Sequence, residues 1–299
     1  MNLLGAHIGD DLAEPAPPLP AARVRKALTI RRSIEAVVSL AYLAVRSGIA
    51  RVSGRGRARL VILYYHAVPA AHRVRFIRQL DMIEAAADAV VPADFCGAET
   101  PGRRLVAVTF DDAYTSVVEN ALPELAARRM PATIFTPSGM LGRPPSWQME
   151  DMDEDRRETV ATAACLQTLP PDLVTIGAHS ITHPCLPEID HESAMTEISG
   201  SKSTLTGLLG RDVTVFSFPY GEYDDRIIRL CEAAQYRFVY NTMPWTLDPA
   251  DAAFLRGRVR ADLSDWPLEF WLKIRGAYSW KSGPRRFKRW LRTRRAGRP

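Results

Sequence analysis

The sequence predicts an α/β fold built on a parallel sheet, open or closed into a barrel. Three observations carry the prediction. From Leu60 onward, short apolar runs alternate with longer segments of helical pattern. The runs are continuously apolar, as in strands covered on both faces. Ionisable residues also recur just after several runs, at the strand ends where α/β sheets collect their sites. Composition agrees: 299 residues, 46% hydrophobic and 24% charged, describe an ordinary globular chain. A disordered chain, a collagen-like chain and a multi-span membrane protein are excluded. Four cysteines (Cys96, Cys165, Cys185, Cys231) form no CxxC pair and no disulfide scaffold, a weakly cytosolic usage.

In chain order, residues 1–21 read as a flexible leader, acidic and Pro-rich between Pro15 and Pro20. They lack the basic start and apolar run of a secretory signal. Residues 22–59 read as a basic helical extension. Its longest apolar stretch, Ala36–Val45, is interrupted only by Ser39 and falls short of the ~18–20 residues of a membrane span. Two readings compete there, an interfacial helix on anionic lipid and a helix packed on the body; the packed reading is preferred. The body, 60–280, holds candidate strands at Leu60–Tyr65, Leu105–Phe110, Ala132–Thr136, Leu173–Gly177, Thr214–Phe218 and Phe238–Asn241. Helical patterns lie near His72–Asp88, Thr115–Arg129, Arg156–Leu166, Glu192–Leu209, Asp225–Ala234 and Pro267–Tyr278. Gly142–Asp155 reads as a surface loop or the wall of a cleft. Residues 281–299 form a basic tail.

The net charge of +5 and pI of about 9.1 suggest nucleic acid until they are located. Residues 22–59 carry ten Lys/Arg and one acid, and 281–299 carry nine Lys/Arg and no acid. The body is net −10. The basic character belongs to the flanks, which makes nucleic acid an unfavoured partner and anionic membrane a candidate one.

The chemistry is concentrated at strand ends. His66 follows the first strand, Asp111-Asp112 the second, His179-Ser-Ile-Thr-His183 the fourth, and Pro219-Tyr220-Gly221 the fifth. Adjacent strand residues point to opposite faces, so both carboxylates share a site only if the backbone turns at once. Ala113 and the helical pattern from Thr115 supply that turn. A helix cap accounts for one carboxylate at best. The i, i+4 histidines suggest a helix face, but Pro184 pushes His183 out of the α region, so a loop is expected. Two imidazoles and a carboxylate make a three-ligand set with an open position for water. A second carboxylate and a third histidine are then candidates for general base and general acid.

Thr109-Phe110-Asp111-Asp112, His179–His183 and Phe218-Pro219-Tyr220-Gly221, in this order, resemble the motifs of the polysaccharide deacetylase family, carbohydrate esterase family 4. The resemblance covers roughly Leu60 to Tyr278. It implies a distorted (β/α)7 barrel, here with an N-terminal helical extension and a basic C-terminal tail. It also implies hydrolysis of N-acetyl, sometimes O-acetyl, groups on an amino-sugar polymer or glycan precursor. By motif, Asp111 resembles the general base, and Asp112, His179 and His183 the metal ligands. Tyr220 resembles the residue whose backbone N–H helps hold the oxyanion. The ion implied is divalent, zinc first, with cobalt, nickel or manganese as alternatives.

Two departures matter. Many members carry Arg two residues before the motif proline, paired with the catalytic aspartate; this chain has Ser217, and Arg258 or Arg260 is the candidate substitute. No histidine follows His191, so His66 is the general-acid candidate, as in a permuted branch whose first strand delivers that residue. Asp262 and Trp266 loosely echo a further motif. The rival readings are a non-catalytic carbohydrate-binding protein on the same fold, a nucleic-acid binder using its tail, and another barrel metal hydrolase. The location expected is cytoplasmic or peripheral to the inner membrane surface, with no signal peptide and no transmembrane span.

Overall fold

The computed structural model describes residues 21–53, 59–97, 103–149, 155–248 and 252–283. The leader reading therefore lies outside the described residues, as does the tail beyond residue 283.

The chain enters through one continuous helix, α1 (Ala21–Ser53), which precedes β1 (Arg59–Tyr65) and α2 (Arg73–Ala86). After the short β2 (Ala89–Val90) come β3 (Arg104–Phe110), α3 (Leu122–Ala127) and β4 (Ala132–Thr136). Next are α4 (Ala163–Thr168), β5 (Val174–Ala178), α5 (His191–Leu209), β6 (Val215–Ser217) and α6 (Asp225–Ala233). The chain continues through β7 (Phe238–Asn241), β8 (Leu255–Gly257), β9 (Val259–Arg260) and α7 (Pro267–Ile274). All strand pairings are parallel, in the order β8-β7-β6-β5-β4-β3-β1-β9, with β2 beside β3. Only Arg258 separates β8 from β9. One half of this broken strand pairs with β7 and the other with β1, which brings the sheet round into a nearly closed barrel of seven staves.

Side-chain alternation gives the barrel two cores. Leu60, Ile62, Leu105, Ala107, Phe135 and Val215 fill the interior. Val61, Leu63, Val106, Val108, Phe110 and Ile134 face the surrounding helices. Burial on both faces explains the unbroken apolar runs. Continuing the inward alternation to the top of each strand brings His66, Asp111, His179, Ser217, Arg258 and Arg260 to the catalytic end of the interior.

The helices start where their caps dictate. Asp190 Oδ1 accepts from Ser193 N at 2.9 Å ahead of α5, which ends at Gly210 in the left-handed region. Asp224 caps α6 in the same way, through Ile227 N at 2.8 Å. One sequence expectation needs correction. The helix expected at Arg156–Leu166 is a 3-10 turn at Asp155–Arg157, an extended stretch, and then α4 behind the Thr162 cap. The stretch is extended because its backbone is spent elsewhere: Ala161 N donates to Ala113 O, and Thr159 O accepts from Thr115 N. Within α1, Thr29–Val52 contains an 18-residue window with a mean hydropathy of 1.4, enough by length and composition alone to cross a membrane, and 11% of that window is buried.

Candidate active site

Asp111 continues the inward alternation of β3 and stays fixed by its backbone N–H, which donates to Tyr65 O at 2.9 Å. Asp112 and Ala113 then take positive φ angles of 67° and 52°, which turn the chain so that both carboxylates face the same space. The extended stretch 159–161 clamps this turn through Ala113 and Thr115. The segment after β5 is a loop, as Pro184 requires, with Ser180 and His183 also at positive φ.

The two carboxylates have different partners. Asp111 is held by the fully buried Arg258 through two parallel hydrogen bonds, Nη1 to Oδ1 at 2.6 Å and Nη2 to Oδ2 at 2.8 Å. Arg258 also donates to Ser217 Oγ at 2.7 Å and Thr109 Oγ1 at 3.2 Å, and packs over Tyr64 and Phe135. The small Ser217 leaves room here for a guanidinium from the broken strand. Arg260 instead pairs with Asp262 at 3.8 Å near the mouth. Burial pushes the Asp111 carboxyl up, but the Arg258 charge and hydrogen bonds, together with His179 and His66, outweigh it and hold the group down at about 2.

Asp112 belongs to a separate cluster with His179 and His183. Their donor atoms lie within 4.8 Å of one another, and Asp112 Oδ1 stands 3.6 Å from His179 Nε2 and 3.4 Å from His183 Nε2. Two ligands ~2.0–2.1 Å from a tetrahedral ion stand ~3.4 Å apart, so the spacing suits a cation. The buried Asp112 Oδ1 has no hydrogen-bond partner, an orphan that a cation would satisfy. His179 Nδ1 lies 2.7 Å from Ser217 O, which places the proton on Nδ1 and leaves the Nε2 lone pair towards Asp112. Burial lowers both histidines, so they present neutral imidazoles. Burial, then the adjacent Asp111 charge, pushes Asp112 well above the usual carboxylate range. The residues present fit a divalent ion.

His66 lies half-buried at the end of β1, its ring edge-on to Tyr64. Burial lowers it to about 4, against the opposing pull of Asp111. Tyr220 sits at φ 59° in the tight turn after β6. Its ring meets His183 edge-on at 4.8 Å, and Trp147 stacks on the His183 ring at 4.5 Å. Sequence reasoning named the loop containing Trp147 but not the residue; an aromatic in an otherwise Pro- and acid-rich cleft wall was the available signal. Gly221 is required beside Tyr220: it has φ 71°, and a Cβ there would meet Thr242 Oγ1 at 2.2 Å. Cys185 lines the cleft without joining the cluster.

These groups open into a cleft of about 730 Å³ whose walls include His66, Asp111, Asp112, Trp147, Tyr220 and Arg260. A smaller space of about 230 Å³ adjoins it, sharing His66, Asp155 and Arg260. All six site residues expected from sequence thus meet at one mouth.

The polysaccharide deacetylase family model matches residues 98–239. YxkH of Bacillus subtilis (strain 168), a polysaccharide deacetylase by name, is 25% identical over 160 residues, covering 54% of this chain. The chain spans about half the length of that relative, 52%. Among solved structures, IcaB of Ammonifex degensii superposes with a TM-score of 0.61 at 23% identity, covering 75% of this chain and 98% of its own. The deacetylase PplD of Streptococcus pyogenes, solved with acetate, superposes with a TM-score of 0.60 at 18% identity, covering 73% and 99%. At these identities the superpositions speak for the fold, a (β/α) barrel.

Proposed function

We propose, from the match of residues 98–239 to the polysaccharide deacetylase family model, that this protein is a metal-dependent deacetylase of an N-acetylated glycan, with O-acetyl groups as the alternative leaving chemistry. The observation that carries the reading is the division of labour between neighbouring carboxylates. Asp112 joins two neutral histidines, while Asp111 is tied to Arg258 and kept ionised.

Asp112 Oδ1, His179 Nε2 and His183 Nε2 would hold the ion. When bound, it supplies Lewis-acid polarisation of the acetyl carbonyl and a more acidic water. The protein's own groups do the rest. Asp111 accepts a proton from the attacking water at a carboxylate oxygen. Arg258 fixes that carboxylate's orientation, although it also lowers its basicity, so correct aim offsets weak proton affinity. The Tyr220 backbone N–H is assigned to the developing oxyanion. His66 delivers a proton to the amine nitrogen as the C–N bond breaks. At rest its imidazole is neutral; a developing negative charge nearby raises its proton affinity, so it takes up a proton from solvent before passing it to the amine, and Asp111 returns its own proton to solvent when acetate leaves. Water's oxygen ends in acetate, and the sugar leaves as the free amine.

The binding-only rival rested on the missing family arginine. Arg258 removes that support, since a guanidinium does reach Asp111. Zinc is the preferred ion, and cobalt, nickel and manganese share the ligand chemistry. The test is acetate release from a panel of N-acetylated oligosaccharides, with and without chelator. Acetate and free amine in equal amounts, lost on chelation and restored by zinc, are expected. No acetate from any substrate by zinc-loaded protein would reject the reading.

A further inference from the structure

Helix α1 has two opposite faces with different partners. One face docks along α7 and the 3-10 turn Ala277–Lys281. Arg32 donates to Glu269 and to Ser264 O, and its guanidinium lies over Trp266. Glu35 accepts from Lys281, and Ser39 Oγ accepts from Trp280 Nε1 at 2.9 Å. Arg46 donates to Arg275 O at 2.7 Å and Gly276 O at 3.2 Å, while Ala36 and Leu43 pack with Leu272 and Tyr278.

The other face is apolar and bare. Ile30, Ile34, Val37, Val45, Ile49 and Val52 are all exposed, Val37 at 68% and Ile49 at 64%. At 3.6 residues per turn they fall within an arc of about 120°, opposite the docked face, and form a stripe ~33 Å long. A stripe of this size on a water-facing helix calls for a covering surface.

Charge indicates what covers it. Residues 22–59 carry ten Lys/Arg against one acid. Residues 281–299 carry nine more and no acid, and the first of them, Lys281, pairs with Glu35 of α1. An apolar stripe on a helix that carries Arg31, Arg32, Arg46 and Arg51, in a chain whose sequence is strongly basic on both sides of the body, matches the acyl boundary and headgroups of an anionic bilayer. Spanning the bilayer does not fit: it would strip Arg32, Glu35 and Arg46 from their partners on the barrel and place charged groups in hydrocarbon. We infer that α1 lies in the plane of an anionic membrane interface, its exposed stripe inserted and its opposite face holding the barrel.

This sets the enzyme's orientation. Arg32 touches Ser264 and Trp266, just beyond β9 at the catalytic end, and Arg46 touches Gly276, which neighbours Val61 at the start of β1. The helix therefore runs alongside the barrel. With α1 in the interface, the barrel axis lies along the membrane and the mouth opens parallel to its surface. The exposed Trp266 and Leu268 extend the apolar edge at the mouth end.

The test is co-sedimentation of the full chain with vesicles of phosphatidylcholine alone and of phosphatidylcholine with phosphatidylglycerol. A Val37→Asp/Val45→Asp variant changes the bare face alone. Binding should be at least about tenfold stronger to the anionic vesicles and fall with salt, and the variant should bind at least about tenfold more weakly with an unchanged unfolding temperature. Four results would overturn the inference. They are equal binding to neutral vesicles, binding unaffected by the variant, binding that resists both high salt and alkaline carbonate, and a solution dimer that the substitutions dissolve. The third would mean a spanning helix and the fourth a second copy on the stripe. None of these readouts depends on deacetylase turnover.

Discussion

Arg258 is the residue on which most of the site's electrostatics turn. It brings a fully buried cation to Asp111 from the one strand that pairs with both β7 and β1. The folded-state pKa of Asp111, about 2, lies below the ~3.9 of an unfolded aspartate. The pair's stabilisation is therefore complete above pH ~4 and disappears as pH falls through about 2. Arg258→Gln leaves a buried carboxylate uncompensated and should destabilise the fold by about 3–5 kcal/mol at neutral pH. It should also raise the Asp111 pKa, moving the acid limb of the activity profile to higher pH. Urea unfolding and a pH–rate profile check both effects. His66→Asn should lower kcat by about 10²–10⁴ with little change in KM, the signature of a proton lost in the transition state alone. The paired carboxylates, the HxxxH spacing and His66 were legible because each follows an apolar run. The choice between Arg258 and Arg260 was not, because it depends on a break in β8/β9 that places Arg258 at the join of the barrel.

At the scale of elements, six strands fell where continuous apolar runs put them, since burial on both faces leaves a strong signal. The stretch 156–166 did not, because its helical composition yields to hydrogen bonds with Ala113 and Thr115 that hold the turn at Asp112. Tertiary contacts outweigh local propensity there. The same kind of support comes from the loop around Trp147, whose ring stacks on His183. Trp147→Ala should weaken zinc binding by about 10–100-fold, the range seen when a ligand's supporting neighbour is removed; competition with a chromogenic chelator measures it. Gly221→Ala forces a Cβ against Thr242 at a positive φ. It should cost about 1–3 kcal/mol in thermal unfolding and shift the Tyr220 turn, lowering kcat.

Across the whole molecule, the net charge of +5 does not describe the body that carries the candidate site. The body is acidic and carries the site, while the cations lie in the flanking segments. The barrel class followed from β–α alternation, but closure into seven staves rests on residues 255–260, too short and too charged to stand out as a strand. In the proposed reaction the neighbouring carboxylates act separately: Asp112 would hold an ion and Asp111 would move a proton. The most direct measurement is zinc content and acetate release, taken together on Asp111→Asn and Asp112→Asn protein. Asp111→Asn should keep its zinc and release no acetate above background, and Asp112→Asn should lose the zinc. Acetate release near the wild-type rate by Asp111→Asn, or full zinc occupancy in Asp112→Asn, would contradict it.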